Sequence, residues 1–81
     1  MTRPGTEPVT DVAGVHLTPR ERAVLAELAE DVTVEEIAAR LWVSRNTVKS
    51  QLRSAYRKLG VSTRAEAVAW AREAGLHRRV P

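Results

Sequence analysis

Residues 44–60 read SRNTVKSQLRSAYRKLG. Ser44 is an N-cap residue type and Gly60 suits the position after a helix, so this stretch predicts one helix of about residues 45–59. On a helical wheel at about 100° per residue with Val48 as zero, Ala55, Leu59, Leu52 and Tyr56 fall between about −20° and +80°. Lys49, Arg53, Asn46, Arg57 and Ser50 fall between about +100° and +200° on the same wheel. One side is therefore apolar and commits to a core. The adjoining side is basic and polar, with short Ser50 and Asn46 set among long cations.

The spacing of the cations separates this helix from an ordinary solvated one. Arg45, Lys49, Arg53 and Arg57 follow one another at i+4, where like charges repel by a few tenths of a kcal/mol per pair and a surface helix normally alternates signs. Bound phosphates would remove that penalty. Chemically, Lys and Arg donate to guanine O6 and N7 in the major groove, Asn pairs with an adenine edge and Ser serves either, and one α-helix fits the groove by width.

Working outward, Trp42-Val43-Ser44 makes a connection of about three residues to a preceding helix of about residues 34–41. Thr33 and Glu36 form a capping box for that helix, and Val34, Ile37, Ala38 and Leu41 lie at i, i+3, i+4 and i+7 on one face. Two helices joined by so short a turn, the second one basic, constitute a helix-turn-helix of about residues 34–59. Upstream, Thr18-Pro19-Arg20-Glu21 opens a helix of about residues 19–30 by N-cap, Pro at N1 and capping-box Glu, with Val24, Leu25 and Leu28 as its apolar stripe. Downstream, Thr63 and Glu66 open a helix of about residues 64–74 that stops at Gly75. The expected fold class is all-α, a four-helix bundle. Residues 1–16 show no sustained period and read as a flexible N-terminal tail or linker, residues 17–76 as the domain, and residues 77–81 as a C-terminal tail.

The whole-chain composition agrees with this organisation. Eighty-one residues allow one small domain, and 43% hydrophobic content with no Phe and 4% aromatics calls for a core of Leu, Val, Ile and Ala. The net charge of +3 conceals an asymmetry: residues 1–43 carry eight acids and four bases, residues 44–81 nine bases and two acids. Between Ser44 and Ala65 stand Arg45, Lys49, Arg53, Arg57, Lys58 and Arg64 with no acid, which implies a polyanionic partner. Without Cys no disulfide forms, and no apolar run approaches the roughly 20 residues of a membrane span. The expected compartment is the cytoplasm, with no membrane partner. No nucleophile-base pair, phosphate-binding Gly loop or metal spacing is present, so the chain is read as a non-enzyme without cofactor or metal.

Several residues have plain structural readings. Trp42 is expected to be a partly buried staple of the turn, and Tyr56 a core-face residue with its hydroxyl at the edge. His16 and His77 flank the domain far apart in sequence and are not read as metal ligands. Glu35 and Glu36 favour the dipole at a helix start. Trp70 lies at the margin of the Ala67, Val68, Ala71 and Ala74 stripe beside Glu66 and Glu73, where it suits either intramolecular packing or a subunit contact.

Leu17-Thr18-Pro19-Arg20-Glu21-Arg22-Ala23-Val24-Leu25, the run Val34 to Ser44, Asn46-Thr47-Val48-Lys49, Tyr56 to Val61 and Arg64-Ala65-Glu66-Ala67 together resemble the LuxR-type (GerE-like) helix-turn-helix domain over about residues 17–76. Gln51 stands where many members have His, and Asp31-Val32 where many have Gly or Asn; neither lies on the groove-facing set. The resemblance implies a bacterial transcription factor that binds double-stranded DNA with its third helix in the major groove. It implies Lys49, Ser50 and Arg53 at base edges, with Thr47, Asn46 and Arg57 near phosphates and Val48 in the core; Arg45 and Lys58 join Asn46, Thr47 and Arg57 as candidates for phosphate contact or for either kind. It also implies a homodimer through helix four; Glu66, Trp70 and Glu73 are the candidate contacts by their place on that helix, and a two-fold dimer is expected to read half-sites about one helical turn apart. Two other readings remain open: a promoter-reading domain of sigma type acting with RNA polymerase, and a basic module that binds an acidic protein.

Overall fold

Four helices form where the capping signals placed them. The structure, a computed structural model, describes residues 10–29 and 31–76. In chain order these comprise β1 (Thr10–Val12), β2 (Val15–Leu17), α1 (Pro19–Glu27), α2 (Val34–Leu41), α3 (Arg45–Leu59) and α4 (Arg64–Glu73). Thr18, Thr33 and Thr63 each accept from the N3 amide, and Glu21, Glu36 and Glu66 reach back to the N-cap amide, so the three capping boxes are complete. Ser44 accepts from Thr47 N at 3.1 Å to start α3, and Gly60 ends it at φ 73°. Only glycine takes that left-handed conformation without steric cost.

Residues 10–17 correct the expectation of a tail. They form an antiparallel hairpin pairing Thr10 with Leu17, Asp11 with His16 and Val12 with Val15. Ala13 at φ 50° and Gly14 at φ 82° make its two-residue turn, a geometry that matches strand twist. The strands are too short to show a period, and Leu17, fully buried against the helices, anchors them. Residues 1–9 and 77–81, with the remaining tail expectations and His77, lie outside the described residues.

Helix α1 ends at Glu27, three residues before the expected end, because Leu28 turns extended (ψ 131°) and drops into the core. The carbonyls freed beyond it do not go unpaired: Arg64 Nη1 donates to Ala29 O at 3.1 Å and to Val32 O. At the other end of the chain, α4 gives way at Ala74 and Gly75 (φ 76°), and Leu76 N donates to Ala71 O at 2.8 Å.

The core is aliphatic, as the composition required. Leu17, Val24, Leu25, Ile37, Val48, Leu52, Ala55, Ala67, Val68 and Ala71 are buried in one cluster. Helix α3 is its axis, packing against α1, α2, α4 and β2. With so many elements holding its apolar side, α3 presents its polar side from a fixed platform.

Candidate nucleic-acid interface

The helical spacing of its apolar residues places the polar side of α3 outward. Val48, Leu52 and Ala55 are buried and Tyr56 and Leu59 half-buried, as their wheel positions require. The opposite side then faces solvent: Asn46, Lys49, Ser50, Arg53 and Arg57 are all exposed. Among the described residues Lys49, Arg53 and Arg57 have no ion-pair partner. Burial lifts the Tyr56 phenol above its ordinary pKa despite nearby Arg64, in keeping with a structural residue whose ring is packed.

The other bases of the segment are occupied. Arg45 Nε lies 3.2 Å from Glu35 Oε2 across the turn, with both side chains more than half exposed; such a pair holds weakly and leaves Arg45 able to exchange its partner. Arg64 is half-buried on the Ala29 and Val32 carbonyls. Lys58 Nζ donates to Glu21 Oε1 at 2.7 Å. Thr47 is half-buried, sharing its hydroxyl with Ser44 at 3.0 Å.

Glu21 is the buried charged side chain among the described residues, 3% exposed. Its carboxylate takes Thr18 N at 2.9 Å, Lys58 Nζ and the Ser54 hydroxyl. Burial pushes this carboxyl up, yet the bonds from Lys58, Ser54 and Thr18 outweigh it and hold it below the ordinary value. The capping box was visible in the sequence; the second task of the same carboxylate, tying α1 to α3, was not. Lys58 and Ser54 lie about 280° and 240° around the wheel, the flank that faces α1. That both fall on one flank is the signal that would have found them.

Between α1 and α3, Pro19, Arg20, Ala23, Val24, Leu41, Val43, Thr47 and Gln51 line a shallow groove of about 310 Å³. Gln51 therefore faces α1 and stays off the cationic face.

Trp42 corrects the staple reading, being 94% exposed. It is the C-cap of α2 at φ 59° and ψ 41°, and this left-handed turn sends the side chain out while half-buried Leu41 and Val43 do the packing. On α4, Trp70 is half-buried against the core and Glu73 exposed. Glu66 Oε1 accepts from Ser62 N at 3.0 Å and Thr63 N at 3.1 Å, and these bonds lower its pKa.

The chain is similar to known proteins in sequence and in fold. The model of the family described as bacterial regulatory proteins, luxR family, matches residues 15–71. The probable transcriptional regulatory protein SgaR of Hyphomicrobium methylovorum is 60% identical over 53 residues, which cover 65% of this chain and 25% of that protein. The chain thus spans a minor part of that relative's length. Spore germination protein GerE of Bacillus subtilis (strain 168) is 46% identical over 52 residues, 64% of this chain and 70% of that protein. A solved structure of the transcription factor GerE superposes with a TM-score of 0.65 at 32% identity, covering 76% of this chain and 92% of that one.

Proposed function

Because the chain belongs to the luxR family of bacterial regulatory proteins, we propose that it regulates transcription by binding double-stranded DNA with α3 in the major groove. The observation that carries this reading is the row of exposed Lys49, Arg53 and Arg57 at i+4, unpaired among the described residues and flanked by exposed Asn46 and Ser50. A rigid apolar back holds these side chains at fixed spacing, so sequence discrimination comes without ordering the helix on binding.

Within this reading residues 17–76 are the DNA-binding domain, with the hairpin strand from Thr10 packed onto it. Lys49, Ser50 and Arg53 read base edges. Asn46, Thr47, Arg57 and, after leaving Glu35, Arg45 contact phosphates. Lys58 serves the fold through Glu21 in place of a phosphate contact. Two copies pair through α4, where the uncovered part of Trp70 beside exposed Glu73 suits a small two-fold contact.

Fluorescence anisotropy of a labelled duplex over a salt series tests the proposal. Affinity should fall with salt by about −0.9 in log-log slope per phosphate contacted, and Arg53→Ala should weaken binding with the fold intact. No binding at low salt, even by a covalently tethered dimer, would transfer the basic face to an acidic protein partner.

A further inference from the structure

Trp42 sits where folding alone gives no reason for a tryptophan. Its left-handed backbone, φ 59° and ψ 41°, is hard on a bulky L-residue and suits glycine or asparagine. Its side chain is 94% exposed, so the core gains almost nothing from it. Its indole N–H has no hydrogen-bond partner among the described residues. The backbone beneath it is nevertheless firmly held, since Trp42 N and Val43 N both donate to Ala38 O. A large flat side chain thus projects from a rigid support.

The position of that support names the partner. Trp42 lies two residues before Ser44, the N-cap of α3, and runs through the chain directly into exposed Arg45 and Asn46 at the start of the cationic face. In a helix-turn-helix the first helix crosses the DNA backbone while the N-terminal residues of the second meet base edges, so with α3 in a major groove the α2–α3 connection passes between the two, beside the sugar-phosphate wall. We infer that Trp42 is a DNA-contacting residue, its ring laid against deoxyribose and its indole N–H donated to a phosphate oxygen; this rests on the DNA-binding reading above. The chemistry fits: the ring faces are apolar, the N–H is a donor only, and phosphate and sugar contacts position a protein without selecting sequence. A neutral contact of this kind displaces no counterion, which separates it experimentally from the lysines and arginines.

The chain contains two tryptophans, so a nitrogen-15 spectrum shows two indole N–H signals, and the one missing from Trp42→Asn belongs to Trp42. A soluble paramagnetic agent should relax that signal strongly in the free protein and severalfold less once a random-sequence duplex is saturating. Trp42→Asn, suited to the backbone conformation, should keep the fold and weaken duplex binding about three- to tenfold on every sequence with the salt slope unchanged. The inference is overturned if the agent reaches the indole equally in the saturated complex, or if Trp42→Asn binds as tightly as the wild type. Either result leaves the indole for a protein partner while salt-dependent duplex binding by the wild type stands. A wild type that binds no duplex at any salt removes the DNA reading and this contact together.

Discussion

Arg57 and Lys58 are adjacent in sequence and opposite in circumstance. Arg57 projects from the exposed side of α3 with no ion-pair partner among the described residues, whereas Lys58, one step around the helix, meets the buried carboxylate of Glu21 at 2.7 Å. The same contrast runs through the whole basic segment. Lys49, Arg53 and Arg57 are free cations on a rigid face; exposed Lys58 and half-buried Arg64 are fasteners, one on a buried carboxylate and one on the Ala29 and Val32 carbonyls beyond the end of α1. A count of bases therefore overstates the surface available to a polyanion. What distinguishes the two groups is which flank of α3 the residue occupies and what the neighbouring helix offers there.

Removing the anchor of the fastening group should have the largest effect. Glu21→Ala deletes the capping-box acid of α1 and the buried partner of Lys58 and Ser54, and should cost about 2–4 kcal/mol in urea unfolding. If the loss is under about 0.5 kcal/mol, the ordinary scale of a neutral surface change, the fastening assignment fails.

Lys49→Ala should do the reverse. On a selected operator it should lose about 1–3 kcal/mol of affinity while the urea midpoint stays in place. Arg64→Ala belongs with the fastening group and should cost about 1–2 kcal/mol of stability, because the Val32 carbonyl loses its donor while Ala29 O keeps only the bond from Val32 N, leaving the salt dependence of DNA binding as it was.

The acid limb of stability sharpens the contrast further. Glu21, Glu36 and Glu66 all have their carboxyl pKa lowered in the fold: Glu21 by Lys58, Ser54 and Thr18 against its burial, Glu36 chiefly by the Thr33 amide, Glu66 chiefly by the Ser62 amide. A depressed folded-state pKa gives stability that is complete above the ordinary value of 4.5 and is lost as pH falls through that value and below. The urea midpoint should hold near neutrality and decline below about pH 5. Glu21→Gln should start lower at neutral pH and decline less steeply in acid; an equally steep decline would mean that Glu21 is not among the groups titrating.

Much of this molecule was legible in its sequence, for a physical reason. Thr33-x-x-Glu36, Thr63-x-x-Glu66 and the separate caps Ser44 and Gly60 are local signals whose bonding partners lie within about one helical turn of each, so α2 and α3 form where the spacing predicts. The outward side of α3 was legible too, because helical periodicity alone sorts Val48, Leu52 and Ala55 from Lys49 and Arg53. What escaped depends on distant residues. The Glu21 bond to Lys58 spans 37 positions, and the early end of α1 is compensated by Arg64 from 35 positions away. The hairpin at residues 10–17 is three residues per strand, too short for alternation to register. Trp42 was misread because hydrophobicity argues for burial, while the left-handed backbone that expels its side chain is set by the α2–α3 turn.

The salt dependence of duplex binding for Arg57→Ala and Lys58→Ala separates a cation that meets DNA from one that holds the fold. Arg57→Ala should lower the log-log slope by about 0.9 per protomer with the urea midpoint unchanged, and Lys58→Ala should lower the midpoint with the slope unchanged. The reverse pattern, a reduced slope in Lys58→Ala and none in Arg57→Ala, would exchange the two roles and make Lys58 the DNA-facing cation.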